Sequence, residues 1–394
     1  GSADAGACCM KHVEHFAAQL DVLKQQGNLR QFTPNVQQGR MIRINDHEML
    51  NLASNDYLGL AANIELREQF FDETPNAQRW MSSASSRLLT GNFPEYEQFE
   101  ASLSQAFHGR AALVFNSGYH MNIGILPALA DSKTLILADK LIHASMIDGI
   151  RLSTAKLVRY RHNDLAHLTQ LLQKYHTDDT FERIIVVTES IFSMDGDETD
   201  LAELVRIKKQ FEKVMLYVDE AHGIGVRGEQ GLGCAEQYQV IDEIDFLVGA
   251  LGKAMASIGG YLICHPVIRD YLINTMRPLI FSTAQPPICM AWSNFILQQV
   301  LQLKTARQHL HSISQTLQQA VQAKGFDCPS TSQIVPVIIG DSSKTVEKAK
   351  ALQQAGFYIM PVRPPTVPQH SSRLRISLTA QVRHTDLDQL IQLL

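Results

Sequence analysis

Five short apolar runs in the middle of the chain most constrain its fold. Each is three to five residues long and presents apolar or aromatic side chains on both faces: 113–115, 135–137, 184–187, 214–218 and 246–248. A strand of this kind has to be covered on both sides, which is typical of a parallel sheet between two layers of helices. Segments with helical periodicity, Leu165–Tyr175 and 201–211, lie between the runs. The pattern predicts a three-layer α/β domain with a mostly parallel sheet.

The flanking segments predict two further parts. The length of 394 residues is enough for two or three domains. A helix over 12–23 and a polar extended stretch make up residues 1–50, and the large domain is expected over 51–287. After Pro287 a long helix is predicted to run to about Gln319. Two strands and a helix, expected at 334–339, 374–378 and 346–355, then form a smaller α+β domain over 288–394.

Composition excludes several classes of partner. Charged residues make up 19% of the chain and the formal net charge is −5, so there is no basic surface of the kind that binds nucleic acid. The charge-poor stretches 111–130 and 278–303 contain prolines and asparagines, which favours buried segments over membrane spans. The six cysteines form no CxxC pair and no zinc-type spacing, which predicts no metal site and a reducing compartment. Residues 1–6 lack the regions of a signal peptide, so we expect a cytoplasmic protein.

Two residues that follow buried strands suggest the chemistry. Asp219 ends the run 214–218, and such a carboxylate can point into the ligand crevice of an α/β sheet or simply cap a helix. Lys253 follows the run 246–248 among small residues, where a desolvated lysine has a lowered pKa and can form a Schiff base. A carboxylate for a pyridine nitrogen and a lysine for an aldehyde are the minimum that pyridoxal 5'-phosphate requires.

Three other features are weaker evidence for a cofactor site when each is considered alone. The turn at 116–120 could offer backbone N–H groups to a phosphate, although a plain strand–helix turn explains it equally well. His143 lies at a similar turn and could stack on an aromatic cofactor or be structural. The segment 223–228 reads GxGxxG, but it continues into a glycine-rich loop where a dinucleotide site needs a helix.

An ordered set of motifs resembles the pyridoxal-phosphate-dependent α-oxoamine synthases. The motifs lie at 54–59, 143–145, 188–197, 219–223, 251–253 and 281–283, and the resemblance runs from about Asn51 to the C-terminus. It implies the fold of type I pyridoxal-phosphate transferases and a homodimer with shared active sites. The segments 162–164, 363–368 and 373–375 resemble the member that condenses L-alanine with pimeloyl-CoA or pimeloyl-acyl carrier protein in biotin biosynthesis.

The resemblance also implies residue roles. Lys253 would bind the cofactor covalently and remove the amino-acid α-proton, and Asp219 would pair with the ring nitrogen. The other cofactor contacts implied are His222 and Ser193 at the phenolic oxygen, His143 on the ring face, Gly118 and Tyr119 at the phosphate, and Ser282 and Thr283 at the phosphate from the other subunit. The predicted catalytic residues are Lys253, His143, Asp219 and His222. The implied substrate contacts are Arg375 and Asn55 at the amino-acid carboxylate, and Arg30, Arg363 and Thr366 at the acyl substrate, where a surface or turn role is an equal alternative.

The sequence departs from the family pattern at two places. Position 250 is alanine where the family usually has a hydroxyl donor to the phosphate. The segment 82–87 is serine-rich where relatives have glycine, so a residue there that needs positive φ would be strained. Two other functions stay open: a sister synthase that uses glycine or serine, such as a glycine C-acetyltransferase, and a non-catalytic protein that keeps the fold.

Overall fold

The N-terminal part is a helix followed by a small antiparallel sheet. The protein is described by a computed structural model that covers residues 2–394, with side chains from Met10 onward. Gly1 and the side chains of Cys8 and Cys9, which entered the expectations above, lie outside the described residues. Helix α1 (Ser2–Gln25) is longer than predicted. It is followed by β1 (Val36–Gln38), β2 (Met41–Ile44), β3 (His47–Asn51), α2 (Ile64–Glu73) and α3 (Pro94–Ala106).

A seven-stranded sheet forms the centre of the large domain. Its strands are β4 (Ala111–Phe115), β5 (Thr134–Asp139), β6 (Lys156–Tyr160), β7 (Arg183–Glu189), β8 (Val214–Asp219), β9 (Phe246–Ala250) and β10 (Gly260–Cys264). They lie in the order β4-β10-β9-β8-β7-β5-β6. Strand β10 is antiparallel to both neighbours and the other pairs are parallel. All five apolar runs are strands, which confirms the predicted mostly parallel sheet.

Helices cover both faces of this sheet. They are α4 (Gly118–Leu129), α5 (Ala144–Arg151), α6 (Leu165–Tyr175), α7 (Leu201–Lys208), α8 (Cys234–Gln237), α9 (Pro266–Thr275) and α10 (Arg277–Ile280). Alternate residues of each strand enter two separate apolar clusters, one on each face. Helix α7 ends three residues before the predicted end. In the serine-rich segment, Ala84 has φ of 54°, so the conformation that favours glycine does occur there.

The prediction of one long helix after Pro287 is wrong. Two helices, α11 (Pro287–Val300) and α12 (Lys304–Ala323), replace it. The break redirects the chain, because α11 packs on α3 whereas α12 packs on elements of the C-terminal part. Arg307 stabilises the break, since its Nη1 donates to the Val300 carbonyl at 2.6 Å. The sequence has neither proline nor glycine between the helices to indicate this turn.

The C-terminal part contains a three-stranded antiparallel sheet. Its elements are β11 (Ile334–Gly340), α13 (Ser342–Gln354), β12 (Phe357–Tyr358), β13 (Met360–Val362), β14 (Ser372–Ser377) and α14 (His384–Leu393). The sheet order is β11-β14-β13, and β12 instead pairs in parallel with β3 of the N-terminal sheet. The domain boundaries at 50 and 287 stay a prediction. Among residues 2–394, no helix combines the length and apolar character needed to cross a bilayer.

His162 ties the turn after β6 to the segment after β7. Its Nδ1 lies 2.9 Å from Asp139 and its Nε2 lies 2.6 Å from Asp197. Burial alone would lower the pKa of His162, but hydrogen bonds to the two carboxylates raise it to about 10. His162, Asp195 and Asp197 bring possible metal ligands within 4.8 Å of one another. However, both ring nitrogens of His162 are used, and Asp195 is ion-paired with Arg373.

We expect His162→Gln to lower the midpoint of thermal unfolding most strongly below pH 6.5. The pKa of His162 is raised from 6.5 when unfolded to about 10 when folded. The charged ring therefore stabilises the fold fully below the lower value, and this stabilisation is lost as the pH rises through the higher one. Circular dichroism melts from pH 6 to 10 measure this, with the exposed His12→Gln as control. A deficit that does not shrink with pH would contradict the account.

Candidate active site

Three neighbouring strands end at one edge of the large sheet and carry the candidate groups there. Strand β7 ends at Glu189 and β8 at Asp219, and these two residues are paired in register. Lys253 lies three residues beyond the end of β9. A cavity of about 220 Å³ opens at this edge. Its lining includes the predicted residues Gly118, Tyr119, His143, Asp219, His222 and Lys253. The structure therefore brings most of the predicted cofactor residues together.

The carboxylate of Asp219 is buried and fixed by neutral donors. It is 4% exposed, and its oxygens accept from Asn122 Nδ2 at 3.1 Å and from the Ala221 N–H at 2.8 Å. Asn122 is held in turn, because it also donates to Ser145 Oγ at 2.9 Å and accepts from the Tyr217 hydroxyl. Amide donors orient the carboxylate without neutralising it, so its charge remains available to a cationic group in the cavity.

Lys253 lies between two cavities. Burial lowers the pKa of Lys253, and the negative charge of Asp219 opposes that shift only in part. A lowered pKa increases the fraction of unprotonated amine, which is the form that acts as a nucleophile or a base. Besides the 220 Å³ cavity, Lys253 and Gly252 line a second cavity of about 460 Å³, which also contains Asn55.

Glu189 is a cavity residue to which the sequence argument gave no role. It is 2% exposed, and burial, with the charge of Asp219, raises its pKa well above the usual value. This favours the neutral form of Glu189. Its Oε2 accepts from the backbone N–H of His143 at 3.0 Å. The position of Glu189 at the end of a buried strand was the available signal.

The N-terminus of α4 supplies backbone donors to the cavity. Ser117 caps the helix by accepting from the His120 N–H at 3.0 Å, which leaves the earlier N–H groups of the first turn for another acceptor. Ala250 lies next to this turn, because a Cβ at Gly118 would be in ordinary van der Waals contact with the Cβ of Ala250, at 3.6 Å. The hydroxyl of Tyr119 donates to Asp148 at 2.7 Å.

His143 and His222 are held in different ways. His143 caps α5, with its Nδ1 accepting from the Ser145 N–H at 3.1 Å, and its ring is exposed. His222 is buried, and its Nδ1 lies 2.6 Å from the hydroxyl of Tyr57. Burial, with the positive charge of Lys253, holds the pKa of His222 well below its usual value, so the ring is neutral.

Ser193 and Arg375 contact each other outside the smaller cavity. Arg375 Nε donates to the Ser193 carbonyl at 2.7 Å, which fixes the plane of the guanidinium. Tyr57 connects Asn55 to this region, because the Tyr57 hydroxyl lies 3.3 Å from Asn55 Oδ1. The chain thus places the two predicted carboxylate-binding residues on either side of Tyr57.

Besides Ser193 and Arg375, five more predicted residues line neither cavity: Arg30, Ser282, Thr283, Arg363 and Thr366. The carbonyl of Thr283 accepts from Asn116 Nδ2 at 2.8 Å, which holds the 282–283 segment against the turn before α4. Arg30 is exposed in the segment between α1 and β1. Arg363 lies beside Gly27, where a Cβ would be 3.7 Å from its Nη1. The roles of these residues remain predictions.

Comparison with known proteins identifies the family. The aminotransferase class I and II family matches residues 47–394. The 8-amino-7-oxononanoate synthase of Haemophilus ducreyi is 53% identical to this chain, over 96% of this chain and 99% of its own length. The chain belongs to the 8-amino-7-oxononanoate synthase family.

Solved structures agree with this assignment. The 8-amino-7-oxononanoate synthase of Francisella tularensis superposes with a TM-score of 0.73 and 27% identity, over 88% of this chain and 96% of that one. A serine palmitoyltransferase variant of S. paucimobilis with bound PLP gives a TM-score of 0.86 and 26% identity, over 98% and 96%. The predicted fold of type I pyridoxal-phosphate transferases is confirmed.

Proposed function

We propose that this member of the family condenses L-alanine with a pimeloyl thioester, with loss of CO2, and uses pyridoxal phosphate as its cofactor. The observation that carries the proposal is the meeting of Lys253, Asp219 and the N-terminus of α4 in one cavity. Membership of a family of 8-amino-7-oxononanoate synthases supports it over a glycine-using sister enzyme. The presence of the lysine and the carboxylate in that cavity speaks against a non-catalytic protein.

The residues of the cavity fit the cofactor. Lys253 offers an amine to the aldehyde, and the fixed carboxylate of Asp219 offers a partner to a protonated ring nitrogen. The N–H groups of Gly118 and Tyr119 offer donors to the phosphate. When bound, pyridoxal phosphate supplies an electron sink that stabilises negative charge at the α-carbon of the amino acid.

Proton transfer, binding of the amino-acid carboxylate and the other cofactor contacts are assigned to different side chains. The amine of Lys253, with its lowered pKa, accepts the α-proton of alanine. Arg375 and Asn55 hold the alanine carboxylate, a task that suits the planar guanidinium. His222 and Ser193 would hydrogen-bond the phenolic oxygen of the cofactor, and the ring of His143 would stack on its face.

The acyl donor approaches from the second cavity. That cavity of about 460 Å³ shares Gly252 and Lys253 with the first, so a thioester placed in it would lie next to Lys253. Either CoA or acyl carrier protein can carry the pimeloyl group. Arg30, Arg363 and Thr366 remain candidate contacts for this substrate, and Arg363 lies beside Gly27.

A homodimer completes the site. Large apolar side chains are exposed in the segment 80–89 and just before Ser282: Trp80, Met81, Leu88, Leu89 and Phe281. Such a patch is typical of a subunit interface. Ser282 and Thr283 follow Phe281 directly, so a partner covering this patch receives their hydroxyls at its phosphate site. Sedimentation should give twice the chain mass of 44.0 kDa, and a monomer would contradict the dimer.

The reaction takes place in the cytoplasm in this proposal. Four cysteines, Cys234, Cys264, Cys289 and Cys328, are free thiols, which suits a reducing compartment.

The function is tested by the visible absorption spectrum of the purified protein with added pyridoxal phosphate. We expect a band that is absent from Lys253→Ala, and that L-alanine perturbs at lower concentration than glycine. Product analysis with pimeloyl-CoA and pimeloyl-acyl carrier protein then identifies the carrier. A preference for glycine would favour the sister enzyme, and the absence of a lysine-dependent band would contradict the proposed chemistry.

We expect Ala250→Thr to tighten the binding of pyridoxal phosphate. A hydroxyl at position 250 would lie next to Gly118 and could donate to the phosphate, and a hydrogen bond to a charged group contributes about 1.5 kcal/mol or more, which is about tenfold in Kd. Titration of the cofactor-free protein measures the effect. Ala250→Val, which has the same shape without the hydroxyl, is the matched control; equal Kd values for the two variants would contradict the prediction.

A further inference from the structure

Tyr57 contacts one lining residue of each cavity, His222 of the smaller and Asn55 of the larger. Its side chain is fully buried. The hydroxyl lies 2.6 Å from Nδ1 of His222 and 3.3 Å from Oδ1 of Asn55. Arg375 is a further neighbour, since its positive charge and hydrogen bond oppose the effect of burial, which raises the pKa of Tyr57. Tyr57 belongs to the motif at 54–59, and the family resemblance implies no role for it.

The short contact decides which nitrogen of His222 carries the proton. A neutral imidazole has one N–H, and the position of that proton is set by the partner of the other nitrogen. The Tyr57 hydroxyl has one proton to donate. The distance to Nδ1 is well within hydrogen-bond range, whereas the distance to Asn55 is long, and the guanidinium of Arg375 can only donate. The proton of Tyr57 therefore goes to Nδ1, and the ring proton of His222 is on Nε2.

We propose that Tyr57 is a positioning residue that holds His222 as its Nε2–H tautomer, so that His222 donates a hydrogen bond to the phenolic oxygen of the cofactor. This inference rests on the proposed function. Without the hydroxyl, Nδ1 of His222 is buried with no donor, and the tautomer with the proton on Nδ1 presents an acceptor to an oxygen that is itself an acceptor. The hydrogen bond to the cofactor is then lost although His222 is present.

A double-mutant cycle on cofactor affinity tests the coupling. The variants are Tyr57→Phe, His222→Gln and the double variant, and the readouts are the Kd for pyridoxal phosphate and the pH midpoint of the lysine-dependent visible band. We expect each single substitution to weaken binding by about tenfold, as for the loss of one hydrogen bond to a charged group. The double variant should bind no more weakly than His222→Gln alone. Additive losses, or a wild-type Kd for Tyr57→Phe, would overturn the proposal.

The matched control is Tyr261→Phe. Tyr261 is also fully buried, and its hydroxyl has no hydrogen-bond partner within the described part of the chain. Its loss should leave the Kd unchanged, so an equal effect of both substitutions would show a general packing defect and overturn the specific role of Tyr57.

A second measurement does not depend on the correct folding of any Tyr57 variant. Nitrogen-15 NMR of the histidine-labelled wild-type protein, with the signals of His222 assigned by their loss in His222→Gln, reads the tautomer directly. We expect a protonated Nε2 and an unprotonated Nδ1, and the opposite pattern would overturn the proposal. Failure of the proposed function is distinguishable, because the wild-type protein would then show no Lys253-dependent band at all.

Discussion

The burial of the Asp219 carboxylate is the constraint on which the candidate site depends. A charge almost removed from water costs several kcal/mol unless hydrogen bonds compensate it. Here the compensation comes from Asn122 and from the Ala221 N–H. Asn122 is on α4, and it also contacts Ser145 at the start of α5. The need to satisfy one carboxylate therefore fixes both helices whose N-termini open into the cavity.

Burial at the same edge of the sheet also explains the protonation states that Glu189, Lys253 and His222 favour. Glu189 lies opposite Asp219 in the sheet, and burial of two adjacent carboxylates favours the neutral form of one. The lowered pKa of Lys253 and of His222 has the same origin in desolvation. A single physical cause, desolvation, thus gives a neutral carboxyl at Glu189, a reactive amine at Lys253 and a neutral imidazole at His222 within one cavity.

Much of the large domain could be predicted from the sequence because its strands are buried on both faces. The five apolar runs carry that signal, whereas β6 is an edge strand with mostly exposed or half-buried residues and β10 begins with a glycine. The break between α11 and α12 could not be predicted, since it depends on packing against distant elements and on the contact of Arg307 with Val300.

The candidate site, like the fold, could be predicted from the sequence only in part. Lys253 and Asp219 follow buried strands and were identifiable from their context. Tyr57 was not, because its contact with His222 joins residues 165 positions apart. Ser282 and Thr283 lie outside the cavity of their own chain, so the role proposed for them at the phosphate requires a second subunit. Sequence motifs can assign such residues by resemblance, but only the folded chain shows which atoms meet.

The most direct test of the account is a crystal structure of the protein grown with pyridoxal phosphate. We expect electron density continuous with Nζ of Lys253, the ring nitrogen within hydrogen-bond distance of Asp219, and the phosphate at the N–H groups of Gly118 and Tyr119. Cofactor bound elsewhere, or in this cavity with its ring nitrogen away from Asp219, would contradict the claim that this buried carboxylate organises the site.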